Sequence, residues 1–225
     1  MNGAMKIIAF GLAALVAAGA YNTVRERAEQ KRTLQGFVDS ISAIKQRQGI
    51  QETALQARFD QIDVDQYMQA SRLASSDSIV GGRAELARYR ALLVERDQLA
   101  ASGLTQLHAL LDTLPQGELR DNVARGASRA EASNLKLQST LGQSQVANAD
   151  AVQAVFDWAD RNHAIVHARG TSLVVDGQVP LSELKALEAR VVETGKAVND
   201  SLLRVRAVQS DSVKNLAKLR GDLTQ

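Results

Sequence analysis

Cysteine is absent from this 225-residue chain, which removes disulfides, thiolate metal sites and cysteine nucleophiles together. The absence leaves the compartment open, because a domain of this size buries a sufficient core without disulfides. Only two prolines occur, Pro115 and Pro180, so most of the chain carries no helix breaker. Aromatic residues make up 4%, which leaves alanine, leucine and valine to fill the interior and favours packed helices. Neither sign of charge prevails: 27 Lys and Arg against 25 Asp and Glu give a formal charge of +2. The sequence pI of about 9.0 reflects that small excess. A surface built to displace counterions from nucleic acid needs far more, so nucleic acid is not an expected partner. Disorder is excluded by an apolar content of 45%.

Long apolar runs are also missing, with one exception. Ile7 to Ala20 is an uncharged stretch of 14 residues. A membrane-spanning helix needs roughly 20 apolar residues, and the core of a signal peptide roughly 7–15. Read from Met5, Lys6 supplies the basic end, and Ala18-Gly19-Ala20 is an A-x-A cleavage site. Against simple export stand Arg25, Arg27, Lys31 and Arg32, because basic residues after an apolar core resist translocation. Glu26 and Glu29 soften that obstacle, and Tyr21 sits where an interfacial aromatic would hold a retained helix. Export is the expectation, with residues 1–20 either a cleaved signal peptide or a kept anchor. Residues 21–225 then form one helical domain, periplasmic or anchored to the inner membrane and facing the periplasm.

Beyond Asn22 the pattern is helices in series. Leu34, Val38, Ile41 and Ile44 make an amphipathic stripe. Gly49 predicts a break before a shorter helix carrying Leu55 and Phe59, and Gly81-Gly82 predicts the end of a short segment. A long helix with Leu86, Tyr89, Leu93, Leu107 and Leu114 on one side comes next, closed by Pro115. Another runs on from about Glu118 through Ala168, with Gly142 a point where it can break. At "TSLVVDGQVPLS" the period changes. "SLVV" and "QVP" read as two strands joined by an Asp176-Gly177 hairpin turn, and Ser182 reads as the N-cap of the last helix. The expected fold is all-α: an elongated bundle of long antiparallel helices with one short β-hairpin before the last helix.

Few residues suggest chemistry. His163 and His167 lie four apart on one helical face, with Asp160 one turn earlier. Imidazoles at that spacing can share a metal, but the glutamate that follows the first histidine of a zinc-protease helix is missing, and a site needs further donors. The expectation is two surface histidines and no metal. His108 reads as a partly buried helix position. Asp60, Asp63 and Asp65 hint at a calcium loop, yet the sharp-turn glycine and the closing glutamate are absent, so aspartate caps are expected instead. Phe156 and Trp158 read as core aromatics, with a ligand-binding face as the alternative. No catalytic constellation and no cofactor motif is present, so a non-enzymatic protein is expected.

The ordered segments "KRTLQGFVDSI", "ARYRALLVERDQLAASGLTQLHALLDTLP", "AVQAVFDWA" and "SLVVDGQVPLSELKAL" resemble the YiaF-type envelope lipoproteins of enterobacteria. There too an apolar run, a glycine turn and a second run with proline precede the last helix. The lipobox cysteine of that family has no counterpart, since Ala20 occupies its place, so any anchoring here would fall to a retained helix. The family carries no established activity. Leader, helical pattern and resemblance together give the expectation of an envelope protein that binds a protein partner through its helical surface. Its N-terminal segment would associate it with the membrane, and homo-oligomers are compatible with the pattern. The alternative is an extracytoplasmic sensor or binding bundle for a small ligand or metal, using the segment from Phe156 to His167.

Overall fold

Stripes of aliphatic residues three and four apart become long helices here because each stripe finds a buried face. The computed structural model describes the backbone of residues 28–224 and the side-chain exposure of residues 32–208. The leader, residues 1–20, lies outside the described residues. Four long helices are present among the described residues: α1 (Ala28–Phe59), α3 (Ser76–Asp112), α4 (Glu118–Arg161) and α5 (Gln178–Thr224). A single turn, α2 (Ala70–Leu73), precedes α3. Strands β1 (Val166–Arg169) and β2 (Ser172–Val175) form an antiparallel hairpin ahead of α5. The all-α class, the packed long helices and the hairpin before the last helix are therefore as expected. Among the described residues no helix is long and apolar enough to cross a membrane.

Several boundaries differ from expectation. α1 runs unbroken through Gly49, and α4 runs unbroken through Gly142. A single glycine lowers helix propensity by about 1 kcal/mol, which tertiary burial on either side overrides. Gly81 and Gly82 lie inside α3 rather than ending a segment. Their role is steric. A Cβ at Gly81 would stand 2.8 Å from Tyr67 Cε1, and one at Gly82 would stand 2.6 Å from Phe156 Cζ. Pro115 does close α3, in the five-residue loop to α4, where Gly117 takes a φ of +137°.

The hairpin is displaced along the chain from its expected position. β2 is the "SLVV" run, but its partner is "VHAR" on the N-terminal side, with Val166 opposite Val175 and Arg169 opposite Ser172. Gly170, at φ +63°, makes the two-residue turn with Thr171. Asp176-Gly177 instead leads from β2 into α5, and the "QVP" residues form the first turn of that helix. Pro180 is tolerated there because the first turn leaves its backbone N–H groups unpaired. Ser182 is inside the helix, its hydroxyl donating to the Gln178 carbonyl at 2.9 Å, so it is not the N-cap. Gly177 has a φ of +106°, a region closed to β-branched side chains, and its Cβ would lie 3.4 Å from Pro180 Cδ. Gly177→Val is expected to cost about 1 kcal/mol or more in urea unfolding; an unchanged midpoint would mean the β2–α5 corner relaxes freely.

The chain divides into two compact units. The hairpin unit comprises residues 56–94 and 140–201, and the loop unit takes in residues 95–139 with the described residues up to 55 and from 202. In the loop unit Leu34, Phe37, Val38, Ile41 and Ile44 of α1 pack with Leu107 and Leu111 of α3, with Leu114 of the following loop and with Leu119, Val123 and Ala127 of α4. Gln48 is also buried, and its amide fills the space that Gly103 leaves by lacking a Cβ. In the hairpin unit the largest buried side chains are Trp158, Tyr89 and Phe156, and Phe59 meets Tyr89 edge to face at 5.5 Å.

Candidate functional site

Within the hairpin unit, three connections bring the start of α3, the end of α4, the hairpin and the start of α5 together. The first is an arginine clasp. Arg83, one residue beyond the glycine pair, donates from Nη2 to Asp157 Oδ1 at 2.7 Å and from Nη1 to Asp160 Oδ2 at 3.0 Å. Gln153 donates to the same Asp157 oxygen at 2.9 Å. Burial works against the Asp157 carboxylate, but the hydrogen bonds from Gln153 and Arg83 hold it below the usual carboxylate range. The second is Trp158, buried in α4, whose indole N–H donates to Glu183 Oε2 of α5 at 3.3 Å. The third is the contact of α2 with both strands of the hairpin.

The expected histidine face does not form. α4 ends at Arg161, so His163 falls in a 3-10 turn (His163–Ile165) and His167 on β1. The helix ends where Asn162 turns its side-chain amide back to the Trp158 carbonyl at 2.8 Å. Each candidate ligand goes to a different partner: His163 Nδ1 lies 2.9 Å from the Asp160 carbonyl, His167 Nε2 lies 3.4 Å from Asp176 Oδ2, and the Asp160 carboxylate meets Arg83. Among the described residues no group of three or more histidine, aspartate or glutamate side chains is placed to hold a metal ion. His108 is exposed rather than partly buried, and its Nε2 lies 2.9 Å from Glu131 Oε2.

The three aspartates lie in and beside a short turn, and the expected caps do not form as such: the residue before the 3-10 turn is Val64, and the turn carries no side-chain cap. Asp63 accepts the Gln66 backbone N–H at 3.1 Å where the 3-10 turn Asp65–Met68 begins, and Asp60 accepts from the Gln56 amide at 2.7 Å. Phe156 and Trp158 are core side chains, and the alternative ligand face loses its aromatics to that core.

Sequence reasoning missed a different feature of this end: apolar side chains left in solvent. Val80 in α3 is 63% exposed, Val174 on β2 is 38% exposed and Val179 in the first turn of α5 is 70% exposed. Val80 lies one turn before Arg83 and Val179 one turn before Glu183, so the clasp and the indole bond bring their helices to the same end of the unit. Alternation in β2, with Ser172 and Val174 exposed and Leu173 and Val175 half-buried, is the sequence signal for Val174. Comparison with family models, curated proteins and solved structures gives no match to this chain.

Proposed function

We propose that this chain is a non-enzymatic protein of the bacterial cell envelope that binds a partner protein through the end of its hairpin unit. Residues 1–20 supply the address, as a cleaved signal peptide or as an anchor in the inner membrane. The likeness of the ordered segments to envelope lipoproteins supports the same compartment. The observation that carries the binding role is the exposure of Val80, Val174 and Val179 on elements that Arg83, Trp158 and α2 hold together. Single exposed apolar residues are ordinary on any surface, whereas several on rigid neighbouring elements supply the apolar centre that a protein interface needs. The polar side chains of the same elements, Arg83, Asp160, Arg169 and Asp176, supply a rim.

Capture from solubilised membranes tests the reading. Full-length chain is expected to retain a partner that the triple variant Val80→Ser, Val174→Ser, Val179→Ser loses, while both chains melt at the same temperature. Equal capture by the two chains would move the binding surface elsewhere.

A further inference from the structure

Within the hairpin unit, α4 buries Leu141, Gln145, Asn148, Val152, Val155 and Ala159, alternately four and three residues apart. α5 answers with Leu184, Val191 and Val198, buried at seven-residue intervals. Three residues beyond each come Leu187, Thr194 and Ser201, which are half-buried, half-buried and buried. This is the spacing of paired helices that meet along a heptad seam. Such a seam has a weakness: moving α5 by one heptad would exchange Leu184, Val191 and Val198 among themselves, and the aliphatic contacts would hardly register the change.

The polar residues would register it. Thr194 Oγ1 donates to Asn148 Oδ1 at 3.0 Å, and the hydroxyls of Ser144 and Ser201 lie 3.3 Å apart. Gln145, at 1% exposure, is buried beside them on α4. A one-heptad shift in one direction sets Leu187 against Asn148, leaving a buried amide without its partner. The opposite shift sets Val208 where Ser201 now meets Ser144. Apolar residues at these five positions would fill the seam without distinguishing one register from the next.

We infer that the layer formed by Ser144, Gln145, Asn148, Thr194 and Ser201 is a register lock: it fixes the axial position of α5 on α4, and with it the position of the first turn of α5. This inference is independent of the partner-binding proposal. Buried polar residues in helix seams have this use elsewhere, at a cost in stability. A shift of one heptad moves α5 by about 10 Å, which unwinding of its first two turns would take up.

The absence of cysteine allows a direct test on the full chain. Cysteine pairs at Ser144 and Ser201, at Ser144 and Thr194, and at Ser144 and Val208 report the present register and the two shifted ones. With the rest of the sequence unchanged, only the first pair should cross-link under mild oxidation. With Gln145→Leu and Asn148→Leu added, the melting temperature should rise, and one of the other two pairs should cross-link several-fold more than before. Exclusive cross-linking of the first pair in both backgrounds would overturn the inference, because register would then be set elsewhere. So would a double-leucine chain that melts lower or does not fold, since a lock whose cost is stability cannot also be what holds the helices together.

Discussion

Gly82→Val is expected to destabilise the protein by about 2–3 kcal/mol, while Gly36→Ala stabilises it by up to about 1 kcal/mol. Both glycines lie inside long helices, where propensity alone favours replacement of either. What separates them is the space around the missing side chain. Nothing approaches within 4 Å of a Cβ built at Gly36. At Gly82 the same atom would meet Phe156 Cζ at 2.6 Å, Phe156 Cε1 at 2.9 Å and Tyr67 Cβ at 3.0 Å. Phe156 is fully buried, so its ring has nowhere to retreat, and valine adds two methyl groups to the conflict. Urea midpoints of the two variants check the sign as well as the size. Stabilisation by both substitutions would show that α3 and α4 lie farther apart at this crossing than described.

The second large effect is a pH dependence centred on Glu52. Burial pushes its carboxyl up to about 7, against the opposing influence of Lys45. Glu52 lies one turn beyond buried Gln48 on α1, where polar residues interrupt the apolar stripe between Ile44 and Leu55. An unfolded-chain glutamate titrates near 4.5, so the folded state holds this proton more tightly. The resulting stability is fully present below about pH 4.5 and is lost as the pH rises through about 7. An unscreened shift of that size corresponds to roughly 3 kcal/mol, and solvent at the half-buried carboxyl reduces it to about 1–2 kcal/mol. Glu52→Gln should abolish this slope and leave the variant more stable than the native chain at pH 8. The measurement is a series of urea midpoints from pH 5 to pH 8. Parallel curves for the two chains would place the carboxylate in water.

Periodicity makes most of the fold legible. Leu34, Val38, Ile41 and Ile44 predict the buried face of α1, and Pro115 predicts the stop after α3, because both signals act within one turn of helix. Glycine is harder to read. Gly81 and Gly82 look the same in sequence whether they end a helix or admit a neighbour's ring, and only the position of Tyr67 and Phe156 decides between the two. The hairpin is legible as a change of period but not in register. "VVDG" offers a favoured turn, yet turning at Gly170 pairs Val166 with Val175 and places the hairpin against α2, an element far from it in sequence. The histidine face fails for a related reason. A helical period extended past Arg161 overlooks Asn162, where the backbone leaves the helix and the side-chain amide also donates to the Trp158 carbonyl. Val174 is legible from the alternation of β2, whereas Val179 is not, because an apolar residue in a first helical turn is normally read as core.

The proposed role requires export, and a fusion tests that requirement most directly. Residues 1–22 joined to a reporter active only outside the cytoplasm should give full signal, and changing Ala20 to a bulky residue should either accumulate an uncut precursor or leave an anchored protein unchanged in size. A silent reporter, together with native protein recovered from the soluble cytosolic fraction, would contradict the envelope role outright.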